Sequence, residues 1–360
     1  MEYYIFVTNN CNLDCKYCSG ISITKNTYTS ECPTYSLEEL KKFVLMCEGK
    51  YNSDTIDFVF YGGEPTLNYK YLTDFIDFFG DLINGKKISY ILHTNGLLLD
   101  KIPLEVLRNL KLILVSINFD KISSQGLNNT YFSKIIDNLK IIKRQHPVKT
   151  LARLTITENT SLYSNVIQVS HFFDYVHWQL VNCQQFEDYN SYFENYKYEL
   201  SLLFDYWLSY FKKGFILNYI PFMTLIRLSL SNEEVNNFLC GFNSFSIYIQ
   251  TDGRCFMCPE EMNNPEFEIG NVNIGIKFKN YSLDSIRCSS CEFFKTCFGR
   301  CGRMHEKFKD NHITEYCNLN KELFKIYMNN KYEILNLVNR QPNLLELLYD
   351  KNFMHTECIP

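Results

Sequence analysis

An α/β fold followed by a cysteine-dense domain is what the sequence predicts, and three observations carry that reading. Six apolar extended runs alternate with amphipathic helical stretches over the first half of the chain, a rhythm that argues for parallel strands covered by helices. Fifteen cysteines fall unevenly, with three in residues 11–18, eight in 240–317, and Cys32, Cys47, Cys183 and Cys358 elsewhere. The length of 360 residues fits two or three domains of about 150 residues each. Periodicity alone allows either an open Rossmann-like sheet or a partial barrel.

The strands expected in order are YYIFVT at 3–8, IDFVFYG at 56–62, ISYILHT at 88–94, LILVSI at 112–117, TLARLTI at 150–156 and YVHWQLV at 175–181. Between the first two, Ser36 to Gly49 reads as a capped helix, because Ser36 is followed three residues later by Glu39 and then by a helical apolar period. Tyr69 to Ile83, Pro103 to Leu110, Tyr131 to Arg144 and Tyr163 to Phe172 supply the other helices. Residues 190–213 form an aromatic helical bridge expected to pack rather than to stack on substrate. From Cys240 short Gly-, Pro- and Cys-rich segments replace the βα rhythm, and Asn320 to Val338 and Leu344 to Tyr349 are expected as terminal helices.

The net charge is −4 and no block of five or six basic residues occurs, which argues against a nucleic-acid or anionic-membrane partner. No apolar run reaches the roughly 18 residues of a membrane span, and the first strand begins at Tyr3 without the order of segments that makes a signal peptide. A cytoplasmic protein is therefore expected. In reducing cytosol, clustered cysteines point to metal ligation or catalysis rather than to a disulfide scaffold.

Cys11, Cys15 and Cys18 form CxxxCxxC directly after the first strand. Three thiolates on so short a connection can hold three corners of a [4Fe-4S] cluster and leave its fourth iron open. A zinc site would need a fourth ligand, and the nearest His is distant in sequence. After the second strand comes Tyr61-Gly62-Gly63-Glu64-Pro65. Its paired glycines permit close backbone approach, and Glu64 can accept from an ammonium group at the C-terminal edge of a sheet. Asn95 follows the third strand, while Ser116 and Asn118 end the fourth. Functional side chains converge at such strand ends in barrels.

CNLDCKYCSG at 11–20 together with GGEP resembles the motifs of the radical S-adenosylmethionine (radical SAM) superfamily. That resemblance implies a partial (β/α)6 TIM barrel, an open iron that binds the amino and carboxylate groups of S-adenosyl-L-methionine, and Tyr17 near adenine. It also implies that Gly62, Gly63, Glu64 and Pro65 recognise the methionyl amino group and that Asn95, Ser116 and Asn118 meet ribose or carboxylate. The family often has Asp where Asn118 stands, which weakens that last assignment. Arg153 is expected to bind the carboxylate or to form a structural ion pair. Gln179 is expected as an internal polar tie, and His93 as a hydrogen-bonded structural residue.

The second cysteine field runs Cys240, Gly253, Cys255, Cys258, then Cys288-x2-Cys291-x5-Cys297-x3-Cys301, and Cys317. Such dense spacing suits iron–sulfur clusters or zinc. The whole succession looks like a SPASM domain, the auxiliary-cluster extension of many peptide-modifying radical SAM enzymes. The resemblance implies two auxiliary [4Fe-4S] clusters, one using Cys240, Cys258 and Cys301 and the other Cys288, Cys291, Cys297 and Cys317. Cys255 is expected as the fourth ligand of the first, or else as a structural thiol beside an open site. The organisation expected is a barrel at 1–185, a helical bridge at 186–235, a SPASM domain at 236–320 and a helical tail at 321–360.

Glu260 and Glu261 are candidates for a base or a peptide-orienting group. Sulfatase-maturing relatives use an Asp directly after the Cys that corresponds to Cys258; Pro259 occupies that place here and argues against their activity. His305 is a candidate hydrogen-bond donor behind the cluster ligands. Met257 and Met304 are expected as packing residues, Cys183 as a packed thiol and Cys32 as part of a lid or core.

The function implied is maturation of a ribosomally made peptide. A 5′-deoxyadenosyl radical would abstract hydrogen, and a thioether or carbon-centred crosslink would form. The alternatives are a dehydrogenase of Ser or Cys side chains in protein maturation and a non-enzymatic iron–sulfur electron carrier. Implied partners are a precursor peptide with a leader and an external one-electron reductant such as flavodoxin or ferredoxin. Leader recognition is expected at the barrel rim, the bridge, the auxiliary domain or a separate peptide-recognition protein.

Overall fold

The computed structural model describes residues 1–15, 17–18, 30–51, 55–119, 130–181, 186–230, 237–280, 288, 290–307, 310–341 and 360. Cys183, Cys358 and the helix expected at 344–349 lie outside the described residues. The chain divides into two compact units, one of residues 1–116, 127–150 and 241–281, the other of 117–126, 151–240 and 282–360.

The first unit is a sheet with helices. Strands β1 (Glu2–Thr8), β2 (Thr55–Gly62), β4 (Lys86–Thr94) and β5 (Leu110–Ile117) lie side by side in that order and all run parallel. Helices α1 (Leu37–Tyr51), α2 (Tyr69–Phe79), α3 (Leu104–Asn109) and α4 (Thr130–Gln145) alternate with them. This is the α/β architecture expected from the βα rhythm. The capping box of α1 forms as its sequence demands: the Ser36 N–H donates to Glu39 Oε2 at 2.7 Å and the Glu39 N–H to Ser36 Oγ at 3.2 Å.

Helix α2 buries Leu72, Phe75, Ile76 and Phe79, one helical stripe, against strand residues Phe58, Phe60 and Tyr90. Each such side chain contributes roughly 1.5–3 kcal/mol by leaving water. The helix expected to reach Ile83 stops at Phe79, because Gly80 turns the chain with φ 59°. A two-residue strand β3 (Leu82–Ile83) then pairs antiparallel with β4. Asn84 at φ 48° and Gly85 at φ 78° make the hairpin turn between them, the Asn-Gly pair that a tight hairpin prefers.

Residues 246–276, read from sequence as irregular, contain four strands: β8 (Ser246–Ile249), β9 (Arg254–Phe256), β10 (Glu268–Asn271) and β11 (Gly275–Ile276). β8 pairs parallel with β1, from Glu2 opposite Ser246 to Ile5 opposite Ile249, and β9 to β11 follow antiparallel. Cys255 of the second field, in β9, thus sits in the same sheet as the first strand.

In the second unit, β6 (Lys149–Ile156) and β7 (Tyr175–Leu180) pair in parallel from Leu151 opposite Tyr175 onward. Helices α5 (Leu162–Ser170), α6 (Tyr189–Phe211) and α7 (Ile220–Leu230) follow in the chain. The aromatic residues of α6 pack: Tyr192, Tyr196, Phe204, Trp207 and Phe211 are buried, with Trp178 and Phe222 beside them. Short helices α8 (Phe294–Cys297) and α9 (Gly302–Lys307) precede α10 (Asp310–Arg340), which begins ten residues before the helix expected at Asn320. No helix among the described residues is long and apolar enough to cross a membrane.

Candidate functional site

The loop that carries Cys11, Cys15 and Cys18 leaves the C-terminal end of β1, beside the C-terminal ends of β2 and β4. Cys11 and Cys18 are exposed and Cys15 is half-buried. The Cys18 N–H donates to Cys15 O at 3.0 Å and closes a turn between the last two. Tyr17 is half-buried on that turn.

Gly62 and Gly63 dock this loop. The Gly63 N–H donates to Thr8 O and the Glu64 N–H to Asn10 O, each at 2.8 Å. A Cβ on Gly62 would stand 2.3 Å from Thr8 O, and one on Gly63 would stand 2.2 Å from Asn10 O. Gly62 also holds φ 128°, a conformation open to glycine and strained for other residues. Both glycines are therefore required for backbone contact with the start of the cysteine loop.

Glu64 is buried and accepts hydrogen bonds on both carboxylate oxygens. Its Oε1 accepts from the Thr66 N–H at 3.1 Å, the Thr66 hydroxyl at 2.5 Å and the Thr94 hydroxyl at 2.7 Å, while Oε2 accepts the Asn95 N–H at 2.7 Å. Burial pushes its carboxyl up from the ordinary range, and the Asn95 N–H and the two threonines pull against that shift. Pro65 opens the 3-10 turn 65–68 that Glu64 caps. The carboxylate thus ties the end of β2 to the end of β4, a structural duty that the motif alone does not disclose.

Asn95 reaches the cysteine loop as well, its Nδ2 donating to Asn12 Oδ1 at 2.7 Å. The turn after it is held from α4, where Asn138 Nδ2 donates to Gly96 O at 2.9 Å. On the far side of the loop, Asn9 Nδ2 donates to Ser30 O at 2.8 Å and to Thr251 Oγ1 at 2.9 Å. Thr251 lies in the β8–β9 turn, so that hairpin braces the first cysteine motif; sequence reading missed both Asn12 and Thr251. Cys32 is exposed and 3.6 Å from Asn68 Nδ2. His93 is buried with its ring against Tyr4 and Tyr61, and Tyr4 stacks on Tyr248 at 4.4 Å. Ser116 is exposed at the end of β5.

Cys255 sits in the middle of β9, wholly buried, with its Sγ 3.7 Å from Gly253 O. Burial and the neighbouring Cys47 push its thiol well up. That placement favours a structural thiol over the cluster ligand expected there, because the strand pleat turns it toward the core. Cys258, also buried, precedes the 3-10 turn Pro259–Glu261. Glu261 is buried and accepts from Asn264 Nδ2 at 2.8 Å, which marks it as a turn-holding residue; Glu260 is half-buried. Met257 is a packed core residue.

Within the second unit, Asn118 is buried. Arg153 Nε donates to Gln179 Oε1 at 2.8 Å, a tie across β6 and β7 that makes Gln179 the polar bracket expected of it. His177, opposite Arg153 in the register, is wholly buried with no hydrogen-bond partner on either ring nitrogen. Burial, with Arg153 and Arg300 opposing its charge, lowers its pKa to about 3.

Cys288, Cys291, Cys297 and Cys317 line one cavity of this unit, together with Phe293 and Phe324. Burial pushes the Cys297 thiol up to about 12. Cys240 and Cys301 are half-buried in the same unit and do not line the cavity. His305 Nε2 lies 2.9 Å from Gly299 O and 3.9 Å from Cys288 Sγ. Among the described residues no three His, Cys, Asp or Glu side chains converge on a single ion. Four thiols spread around an apolar cavity suit the larger bulk of an iron–sulfur cluster, and three on an open loop suit a cluster with one free iron.

Comparison with known proteins gives a consistent result. Residues 5–159 match the radical SAM superfamily. A cysteine-type anaerobic sulfatase-maturating enzyme of Clostridium novyi is 25% identical, over 88% of this chain and 92% of its own. The solved structure of native anSMEcpe with bound AdoMet superposes with a TM-score of 0.71 at 22% identity, covering 95% of this chain and 99% of that one. The same protein with bound AdoMet and a Cp18Cys peptide gives 0.70 at 21% identity, with the same coverage. The fold is shared with these structures, in keeping with the open parallel sheet expected of a partial barrel.

Proposed function

We propose, from the premise that this chain carries a radical SAM domain over residues 5–159, that it is a maturase acting on a peptide and joining two of its residues through a thioether or carbon-centred bond. The observation that carries the reading is the three-thiol loop clamped by Gly62, Gly63 and Glu64 at the ends of parallel strands. The peptide substrate is supported by a relative named as a sulfatase-maturating enzyme and by a fold neighbour solved with a bound peptide.

When bound, a reduced [4Fe-4S] cluster and S-adenosyl-L-methionine together supply a 5′-deoxyadenosyl radical able to abstract hydrogen from a substrate carbon. Cys11, Cys15 and Cys18 are the residues to hold that cluster. Glu64 Oε2 takes one internal donor, which leaves it lone-pair capacity for the cofactor's ammonium group. Asn95 orients its amide through Asn12, and the buried rings of Tyr4, Phe6 and Tyr248 keep water from the sheet face beneath. Arg153, bracketed by Gln179, is the residue proposed for the carboxylate. Cys288, Cys291, Cys297 and Cys317 are proposed to hold an auxiliary cluster, and Cys240, Cys258 and Cys301 another. The leader-bearing precursor and an external one-electron donor complete the reaction.

A second reading, oxidation of a single Cys or Ser side chain, is supported by the Clostridium novyi relative. Pro259 after Cys258 weighs against it, since proline places no carboxylate there. Two measurements decide. Cys15→Ala should abolish reductive cleavage of S-adenosyl-L-methionine, and cleavage at the wild-type rate would reject the assignment of the radical-generating cluster to this loop, whereas no cleavage by the reduced wild-type protein would favour the electron carrier. Tandem mass spectrometry of the product should show a bond joining two residues; a change confined to one residue would select the second reading.

A further inference from the structure

The turn between Cys297 and Cys301 holds three successive residues at positive φ, with Phe298 at 50°, Gly299 at 75° and Arg300 at 59°. Glycine tolerates that region, whereas phenylalanine and arginine are strained in it, and such strain persists where surrounding contacts impose it. Here the Phe298 N–H donates to Phe294 O at 2.7 Å and the Arg300 N–H to Cys297 O at 2.9 Å. His305 Nε2 stands 2.9 Å from Gly299 O.

The turn sets Arg300 in the wall of the cavity lined by Cys288, Cys291, Cys297 and Cys317. Its guanidinium is fixed there by three contacts. Nε donates to Pro360 O at 2.5 Å, Nη1 lies 2.9 Å from Met304 Sδ, and the group stacks 5.2 Å from the Tyr316 ring centroid. Lys321 also lines the cavity, but Arg300 is the cation whose head group these contacts hold in place.

We propose that Arg300 is an electrostatic positioning residue that raises the reduction potential of the iron–sulfur centre held by these four cysteines. The inference rests on the cluster reading proposed above for the cavity. One-electron reduction adds a negative charge to a centre that four thiolates already make anionic, so a fixed cation favours the reduced form over the oxidised one. The aromatic wall limits solvent screening and lengthens the reach of that charge. Arg300 exchanges no proton and forms no bond in this role; the electron comes from the external reductant.

The test uses the full chain, reconstituted anaerobically with iron and sulfide and titrated with dithionite under EPR. Cys291→Ala identifies the centre, because it should remove one signal and one cluster's share of iron. If it removes neither, the cluster reading of the cavity fails. With the signal assigned, Arg300→Gln should lower its midpoint potential and Arg300→Lys should restore most of the loss. Arg300→Gly should lower it too, although glycine relieves the strained φ, and that variant serves where the glutamine protein folds poorly. An unchanged potential in Arg300→Gln, or an equal fall in Arg300→Lys, overturns the proposal while leaving the cluster assignment standing.

Discussion

Replacement of Gly63 by alanine should separate the cysteine loop from the sheet end that carries it. The new Cβ would meet Asn10 O at 2.2 Å and Asn9 O at 2.8 Å, both of them backbone oxygens that cannot rotate away. Ordinary contact requires the two segments to part by about 1 Å. That movement breaks the bonds from the Gly63 N–H to Thr8 O and from the Glu64 N–H to Asn10 O, at about 1 kcal/mol each. Forcing a methyl against packed backbone adds roughly 1–3 kcal/mol, for a total of about 3–5 kcal/mol. Urea denaturation of the cluster-free chain measures the stability, and iron content after anaerobic reconstitution measures the site. Stability should fall by that amount, and one cluster's share of iron should be lost while the share held by the C-terminal cysteines remains. Gly49→Ala is the control, since its Cβ would meet nothing within 4 Å and helix propensity favours alanine by about 1 kcal/mol. An unchanged midpoint with full iron in Gly63→Ala would refute the close-approach account.

Glu64→Gln should cost about 2 kcal/mol in the absence of any cofactor, because one of four donors aimed at the carboxylate would face an NH2 group. Equal denaturation midpoints for the two proteins would confine Glu64 to ligand binding. His177 titrates near 3 in the fold against an ordinary 6.5. A depressed folded-state pKa means that its contribution is complete above pH 6.5 and is lost as pH falls toward 3. From pH 7 to 5 the loss is about 2 kcal/mol at 1.36 kcal/mol per unit. The difference in stability between His177→Leu and wild type should change by that amount over the same interval, measured by denaturation at each pH, and a constant difference would remove His177 as the cause.

Much of the fold was legible because its signals are local. The six parallel strands and the capping box of α1 follow from periods and pairs a few residues apart. The early stop of α2 was also written in Gly80 and the Asn84-Gly85 turn, but an apolar period that ran on to Ile83 outweighed those signals. β8 was not legible: its pairing joins residues 246–249 to residues 2–5, and four residues carry too little pattern to announce so remote a partner. Cys255 was left open, as cluster ligand or structural thiol, for a related reason. Spacing counts it among ligands, whereas the pleat of a short strand decides which way it points.

The sequence by itself determined which atoms are available: three thiols on one loop, paired glycines before an acidic residue, and a second field of cysteines. Those are facts of spacing, and spacing survives without a fold. Only the tertiary structure decided how they are used. It made Glu64 a junction of two strand ends, brought Asn12 to Asn95 and Thr251 to Asn9, and turned Arg300 into the wall of the four-cysteine cavity. Each of these relations depends on direction, and the hydrogen-bonded ones on a partner tens or hundreds of residues away; closing the chain over such distances is the work of packing across the whole unit.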